Sequence, residues 1–120
     1  MLGDISVVDE IYIVCGRTDM RKSIDGLCAI IKDKLHMDPE RSALYLFCGR
    51  RADRIKALLK ESDGYVLLYK RLSVAEGRYR WPRTEAEAKK LSPQQVRWLM
   101  EGLEIEQKSA IKPGARKCLY

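Results

Sequence analysis

The stretch that decides the fold is residues 43–83, which read ALYLFCGRRADRIKALLKESDGYVLLYKRLSVAEGRYRWPR. Its middle part predicts a β-hairpin, because the runs RIKALLKE and YVLLYKRL, rich in apolar and basic residues, flank a short break that ends in Asp63-Gly64. Asp-Gly favours a type I′ turn, in which both central residues need a positive φ. With this pair as the turn, counting outward places Lys56 directly opposite Arg71.

The predicted hairpin has two different faces, since side chains alternate along a strand. One face is mainly apolar and contains Leu59 opposite Leu68. The other face mixes basic and aromatic groups with Leu58 and Leu67, which we expect on the outer surface. A register slip of one residue would exchange the two faces, so burial of the apolar face should prevent it.

The positive charge of the chain is concentrated in the same stretch. Residues 43–83 hold ten basic and four acidic residues, an excess of six that equals the formal net charge of +6. A local basic patch is typical of proteins that bind a polyanion. A solvated strand face is the other interpretation, because Lys and Arg also protect exposed edge strands. The residues predicted to contact DNA are the ten basic ones and one tyrosine: Arg50, Arg51, Arg54, Lys56, Lys60, Tyr69, Lys70, Arg71, Arg78, Arg80 and Arg83.

Length and composition indicate one globular domain. The 120 residues allow a real core, and 46% hydrophobic with 33% charged residues describe a soluble protein rather than a disordered one. No stretch approaches the roughly 20 apolar residues of a membrane helix, and MLGDISVVDE does not resemble a signal peptide. We therefore expect a cytoplasmic protein without a membrane partner. Residues 1–105 should form the domain, and residues 106–120 a basic, flexible tail.

The predicted fold class is α+β, with helices covering one face of a mostly antiparallel sheet that has the hairpin at its centre. Apolar runs predict strands at 11–15 and 43–48, and a helical stripe from Met20 to Leu35 predicts one longer N-terminal helix. Two capping boxes, which begin at Thr84 and Ser92, predict two short C-terminal helices. A helix-turn-helix is disfavoured, because no turn separates those two helices.

The sequence offers no set of residues typical of an enzyme or a metal site. It has no glycine-rich phosphate loop, no Ser-His-Asp set and one histidine, His36. The four cysteines, at 15, 28, 48 and 118, form no CxxC pair, and we expect them to be reduced. Arg17, Arg21 and Lys22 cluster where the N-terminal helix should begin; solvated charges explain them better than an anion site. We predict no catalytic residue, no metal and no cofactor.

Several ordered motifs carry a resemblance to a known family: TDMRKSIDGL, LYLFCGRRADRIKALL, DGYVLLYKRL, RYRWPRTEAEA and LSPQQVRWLMEGL. Across about residues 11–105 the chain resembles the TnpB-type accessory protein, the second reading-frame product of bacterial insertion sequences of the IS-sixty-six type. This resemblance implies a non-catalytic protein that acts in transposition beside a separate, larger transposase. It also implies the DNA of the element as a partner.

Two main hypotheses follow for the function. The first is an accessory module that contacts DNA phosphates through the basic hairpin face. The second is an adaptor that docks on the transposase without direct DNA contact, which exposed Leu58 and Leu67 would favour. An enzyme with an unrecognised site is a remote third. The sequence leaves the oligomeric state open.

Overall fold

A computed structural model describes residues 8–84 and 87–107. These ranges contain five strands, two α-helices and one π-helical segment. In chain order they are β1 (Glu10–Val14), α1 (Ile24–Ala29) with its π-helical continuation (Ile30–Lys34), β2 (Ala43–Cys48), β3 (Arg54–Glu61), β4 (Gly64–Arg71), β5 (Ala88–Leu91) and α2 (Pro93–Met100).

The strands form one mixed sheet with the order β4-β3-β2-β1-β5. β1 and β2 run parallel and are joined by the crossover that contains α1, while the other three pairs are antiparallel. The predicted fold class is therefore wrong in its helices and in its layers. The hairpin β3-β4 lies at one side of the sheet rather than at its centre, and α1 and α2 pack on opposite faces.

The sheet is buried on both faces around β2. All six residues of this strand are buried, as expected for a central strand whose sequence is continuously apolar. On one face Leu27 and Ile31 of the α1 region pack against Tyr45 and Phe47. On the other face Leu99 of α2 packs with Leu44 and its neighbours. The predicted strands at 11–15 and 43–48 are confirmed within one residue.

The predicted N-terminal helix is too long, because its first turn is replaced by a different hydrogen-bonded turn. The carboxylate of Asp19 accepts the backbone N–H of Arg21 at 2.9 Å and its guanidinium at 2.8 Å. An aspartate that bonds to its own backbone two residues onward competes with the helical pattern. The α-helix begins only at Ile24 and has six residues before the π-helical segment.

Among the described residues, one C-terminal helix is observed where two were predicted. Residues 88–91, which were assigned to the first helix, form β5 and pair antiparallel with β1. Their partner strand has buried residues at Ile13 and Val14 and would otherwise be an open edge, so pairing outweighs local helix propensity. Part of the first predicted cap, at residues 85 and 86, lies outside the described residues. The second cap is confirmed, since Ser92 and Gln95 exchange hydrogen bonds at the start of α2.

The hairpin has the predicted faces but a different register. Glu61 pairs with Gly64, so Ser62 and Asp63 form the loop, and Lys56 lies opposite Tyr69 instead of Arg71. No residue from 62 to 64 has a positive φ, so the type I′ turn is wrong. The register differs from the predicted one by two residues, which preserves both faces. Side-chain alternation could not distinguish these two registers, and the Asp-Gly preference gave the wrong one.

The predicted domain boundary at 105 is not tested. Residues 106 and 107 are described, and the remainder of the proposed tail lies outside the described residues.

Candidate nucleic-acid interface

Two of the predicted DNA-binding lysines are held by contacts within the protein. Lys56 donates from Nζ to the carbonyl of Lys22 at 2.7 Å. Lys60 forms an ion pair with Glu40 at 3.3 Å and lies over the ring of Tyr65, with 15% of its side chain exposed. Both lysines thus attach the hairpin to the α1 side of the molecule. The charged amines of both lysines take part in contacts within the protein, which the sequence alone did not indicate.

The remaining hairpin residues lie at the exposed end and edge of β3 and β4. Arg54 is directly opposite Arg71 and is also 3.6 Å from the carboxylate of Asp53. Lys70 and Arg71 are exposed on β4, which is an edge strand. Tyr69 is half-exposed at 52%, with the amine of Lys56 near its ring. The predicted opposition of like charges exists, but it involves Arg54 instead of Lys56.

A broad groove lies where the parallel strands β1 and β2 end, on the same edge of the sheet at which β3 begins and β4 ends. Because β1 and β2 are parallel, their carboxyl ends meet at one edge of the sheet, where ligands often bind in open sheets with parallel strands. The groove there has a volume of about 990 Å³. Its basic lining residues are Arg17, Arg50, Arg78, Arg80, Arg83 and Lys89.

One wall of the groove is the segment from Arg78 to Arg83, which is fixed to the end of β1. The indole of Trp81 donates to the carbonyl of Val14 at 2.8 Å, and the carbonyl of Pro82 accepts from Gly16 at 2.8 Å. Tyr79 is buried at 4% exposure and Trp81 is half-buried, so the alternation of the RYRW run directs Arg78 and Arg80 to the surface. The sequence predicted this alternation but could not choose its direction.

The groove carries an excess of positive charge. Its lining contains six basic residues against three acidic ones, Glu76, Glu104 and Glu106. None of the six forms an ion pair with a carboxylate in the described ranges 8–84 and 87–107. This differs from the hairpin, where Arg54 and Lys60 each have an acidic neighbour.

The structure thus places the predicted site residues in the groove and on the hairpin, with Arg51 in neither. Arg50, Arg78, Arg80 and Arg83 come together in the groove, and the hairpin residues do not join them. Arg51 is exposed in the turn after β2 and is not part of the lining. Lys89 was missed because it lay in a predicted helix. Arg17 was predicted to be a solvated charge, although the motif Cys-Gly-Arg occurs at the ends of both apolar strands.

The two leucines that favoured an adaptor are not on the outer surface. Leu58 is 2% exposed, and Leu67 is half-buried against the same core as α1. The large exposed apolar side chains of the hairpin are instead Leu68, at 40%, and Tyr69.

The two cysteines closest in sequence to the groove arginines Arg17 and Arg50 are protected by burial. Cys15 and Cys48, which precede the two Gly-Arg turns of the groove, are buried, and burial raises the pKa of the Cys48 thiol to about 12. Within residues 8–84 and 87–107, His, Cys, Asp and Glu side chains form no group of three that could hold a metal ion. No helix in that part of the chain is long and apolar enough to cross a membrane.

Comparison with known proteins gives one family and two relatives. The sequence model of the family described as "IS66 Orf2 like protein" matches residues 9–110. Uncharacterized protein y4hO of Sinorhizobium fredii is 32% identical over 95 residues, which cover 79% of this chain and 81% of that protein. Uncharacterized protein y4jC of the same organism is 26% identical over 95 residues, or 79% of this chain and 80% of that protein. No solved structure gives a significant match.

Proposed function

Since the chain belongs to the IS66 Orf2-like family of insertion-sequence accessory proteins, we propose that it is non-catalytic and contacts DNA during transposition through the groove at the ends of β1 and β2. The observation that carries this proposal is the cluster of six basic side chains there, which outnumber the three acidic ones and form no ion pair with a carboxylate among the described residues. An excess of positive charge of this kind attracts a polyanion, and binding releases the counterions of that partner.

The chemistry of the groove suits phosphates better than base edges. All five of its arginines lie in loops, and a guanidinium binds phosphate oxygens through two parallel hydrogen bonds. Base reading in the major groove usually requires a helix or a two-stranded ribbon that enters it. The α2 helix carries one basic residue, Arg97, and that residue bonds to Gln94 of its own helix at 2.6 Å. We therefore expect DNA contact with little sequence preference.

Salt-dependent titration of the protein with a duplex from an element end tests the proposal. Five neutralised phosphates would give a slope near about −4.5 in log K against log salt. A scrambled duplex of equal length should bind with nearly the same affinity and slope. Absence of binding at low salt, or a slope near zero, would contradict DNA contact.

The adaptor remains a second candidate because of the exposed edge of β4. An edge strand offers unpaired backbone groups to a partner strand, and Leu68 and Tyr69 add apolar surface there. Capture of the element's transposase in the presence of nuclease would support this candidate, provided that Leu68→Asp abolishes the capture. Val74→Asp is the matched control, since Val74 is 69% exposed in the loop beyond β4. Equal capture by both variants would exclude the β4 edge as the docking surface.

A further inference from the structure

The two parallel strands carry the same seven-residue pattern. Residues 11–17 read IYIVCGR and residues 44–50 read LYLFCGR, so Tyr, Cys, Gly and Arg recur in identical order. The backbone register of the strands pairs Ile11 with Leu44, Tyr12 with Tyr45 and Ile13 with Leu46. Equivalent positions of the repeat are therefore neighbours in space. The pattern continues past the paired residues to two arginines, Arg17 and Arg50.

Both arginines emerge at the same edge of the sheet and line the same surfaces. Each contributes to the groove, and together with Thr18 and Asp19 they line a smaller recess beside it. The two turns are tied to each other, because the backbone N–H of Thr18 donates to the carbonyl of Cys48 at 2.8 Å. This bond fixes the backbone near Arg17 relative to the backbone near Arg50.

The glycines before the two arginines are required for different reasons. Gly16 has φ +81°, a conformation that residues with a side chain rarely adopt. A Cβ atom on Gly49 would lie 2.7 Å from Cγ of Met20, so only glycine fits without a shift of that side chain. Two different structural demands thus select glycine at the two positions. No shared requirement of the backbone explains why arginine follows both glycines, which favours a role for the arginines themselves.

The carboxylate that lines the recess, that of Asp19, does not neutralise either arginine. Asp19 is paired with Arg21 at 2.8 Å, and the hydrogen bonds from Arg21 hold the pKa of Asp19 below its usual value. Two guanidinium groups at one recess repel each other, and an anion bound between them offsets that repulsion. A phosphate group, like a carboxylate, presents pairs of oxygens that match the donors of a guanidinium group.

We infer that Arg17 and Arg50 act as a pair that binds one phosphate group of a nucleic-acid backbone at the carboxyl ends of β1 and β2. This inference rests on the proposed function and makes it more specific, since it names one anchoring phosphate within the groove. Splayed side chains in water are the competing explanation, and they would bind phosphate independently and weakly.

Titration with inorganic phosphate at constant ionic strength tests the pair without DNA. The Nε–H signals of Arg17 and Arg50 in nuclear magnetic resonance spectra should shift with one common dissociation constant. Arg17→Gln should raise the dissociation constant measured at Arg50 by at least about tenfold, because a shared phosphate loses half of its donors. Lys32→Gln, an exposed charge outside the groove, is the matched control and should leave both signals as in the parent. Absence of any shift, or an unchanged Arg50 response in Arg17→Gln, would overturn the pair.

A duplex titration then separates this inference from the proposed function. Two arginines on one phosphate should change the salt slope by about 0.9 in the double Arg17→Gln, Arg50→Gln variant, against about 1.8 for two separate phosphates. A change near 1.8 would refute the shared phosphate while leaving DNA contact intact. Coupled phosphate shifts without any duplex binding would support the pair and reject DNA contact as the function.

Discussion

At the scale of single residues, identical charges serve different purposes in this protein. Lys60 is nearly covered, pairs with Glu40 and lies over Tyr65, whereas Arg80 and Arg83 are exposed in the groove. Net charge could locate the basic stretch but could not distinguish these environments, because burial and pairing depend on the fold. We therefore expect the basic residues of the groove, which form no ion pair in the described ranges, to bind phosphate, and Lys60 to act in stability instead.

Lys60→Gln should therefore affect stability more than DNA binding. Loss of the Glu40 ion pair and of the contact with the Tyr65 ring should lower the free energy of unfolding by about 0.5–1 kcal/mol. Denaturant unfolding checks this, with Lys70→Gln on exposed β4 as a control that should match the parent. The duplex salt slope should not change. A fully stable Lys60→Gln protein with a flatter slope would place Lys60 in the interface.

At the scale of elements, local sequence signals succeeded where no other segment competed. Ser92-Pro93-Gln94-Gln95 predicted the start of α2, and the capping box is formed. Ala88–Leu91 resembled a helix but became β5, since the edge of β1 supplies backbone partners that a local pattern cannot reveal. The Asp-Gly signal failed for the same reason. In the observed register Gly64 is part of β4. The hairpin then contacts the α1 side of the molecule through Lys60, Tyr65 and Leu67.

Two glycines give a matched test of these elements. Gly64 has no positive φ, and a Cβ atom added there would have no other atom within 4 Å, so Gly64→Ala should keep or raise stability by up to about 0.5–1 kcal/mol. Gly102 ends α2 with φ +82°, and its N–H donates to Leu99, so Gly102→Ala should cost about 1 kcal/mol. Thermal unfolding of both variants checks the pair. A lower melting temperature of Gly64→Ala would indicate a positive φ at Gly64, as the type I′ turn requires.

A third prediction concerns the polar contacts that join β1 to its neighbours. The pKa of Glu10 is lowered from 4.5, first by the hydroxyl of Tyr12 and further by Arg41 and Lys90. A carboxyl with a lowered pKa in the folded chain adds stability above its usual pKa, and that stability is lost as the pH falls. The decrease in unfolding free energy between about pH 6 and pH 3 should thus be smaller in Glu10→Gln than in the parent. Parallel curves for the two proteins would show that Glu10 has no such linkage.

At the scale of the whole molecule, the sequence predicted basic residues for the candidate site but not which of them meet in the fold. Residues 43–48 form a buried strand, and the side chains of the RYRW segment alternate between exposed and buried, as the sequence predicted. The groove joins Arg17, Arg50 and Lys89 with the segment 78–83, which are far apart in the chain. Their meeting depends on the parallel pairing of β1 and β2 and on β5, which was predicted as a helix. The sequence therefore predicted the hairpin face as the DNA contact, whereas we propose the groove.

The most direct test of the account compares equal losses of charge on these two surfaces. Arg80→Gln with Arg83→Gln removes two charges from the groove, and Lys70→Gln with Arg71→Gln removes two from the hairpin edge. In duplex titrations across a range of salt, the groove variant should have a slope flatter than the parent by about 1.8, while the hairpin variant should retain the parent slope. A flattened slope in the hairpin variant, with an unchanged slope in the groove variant, would contradict the account.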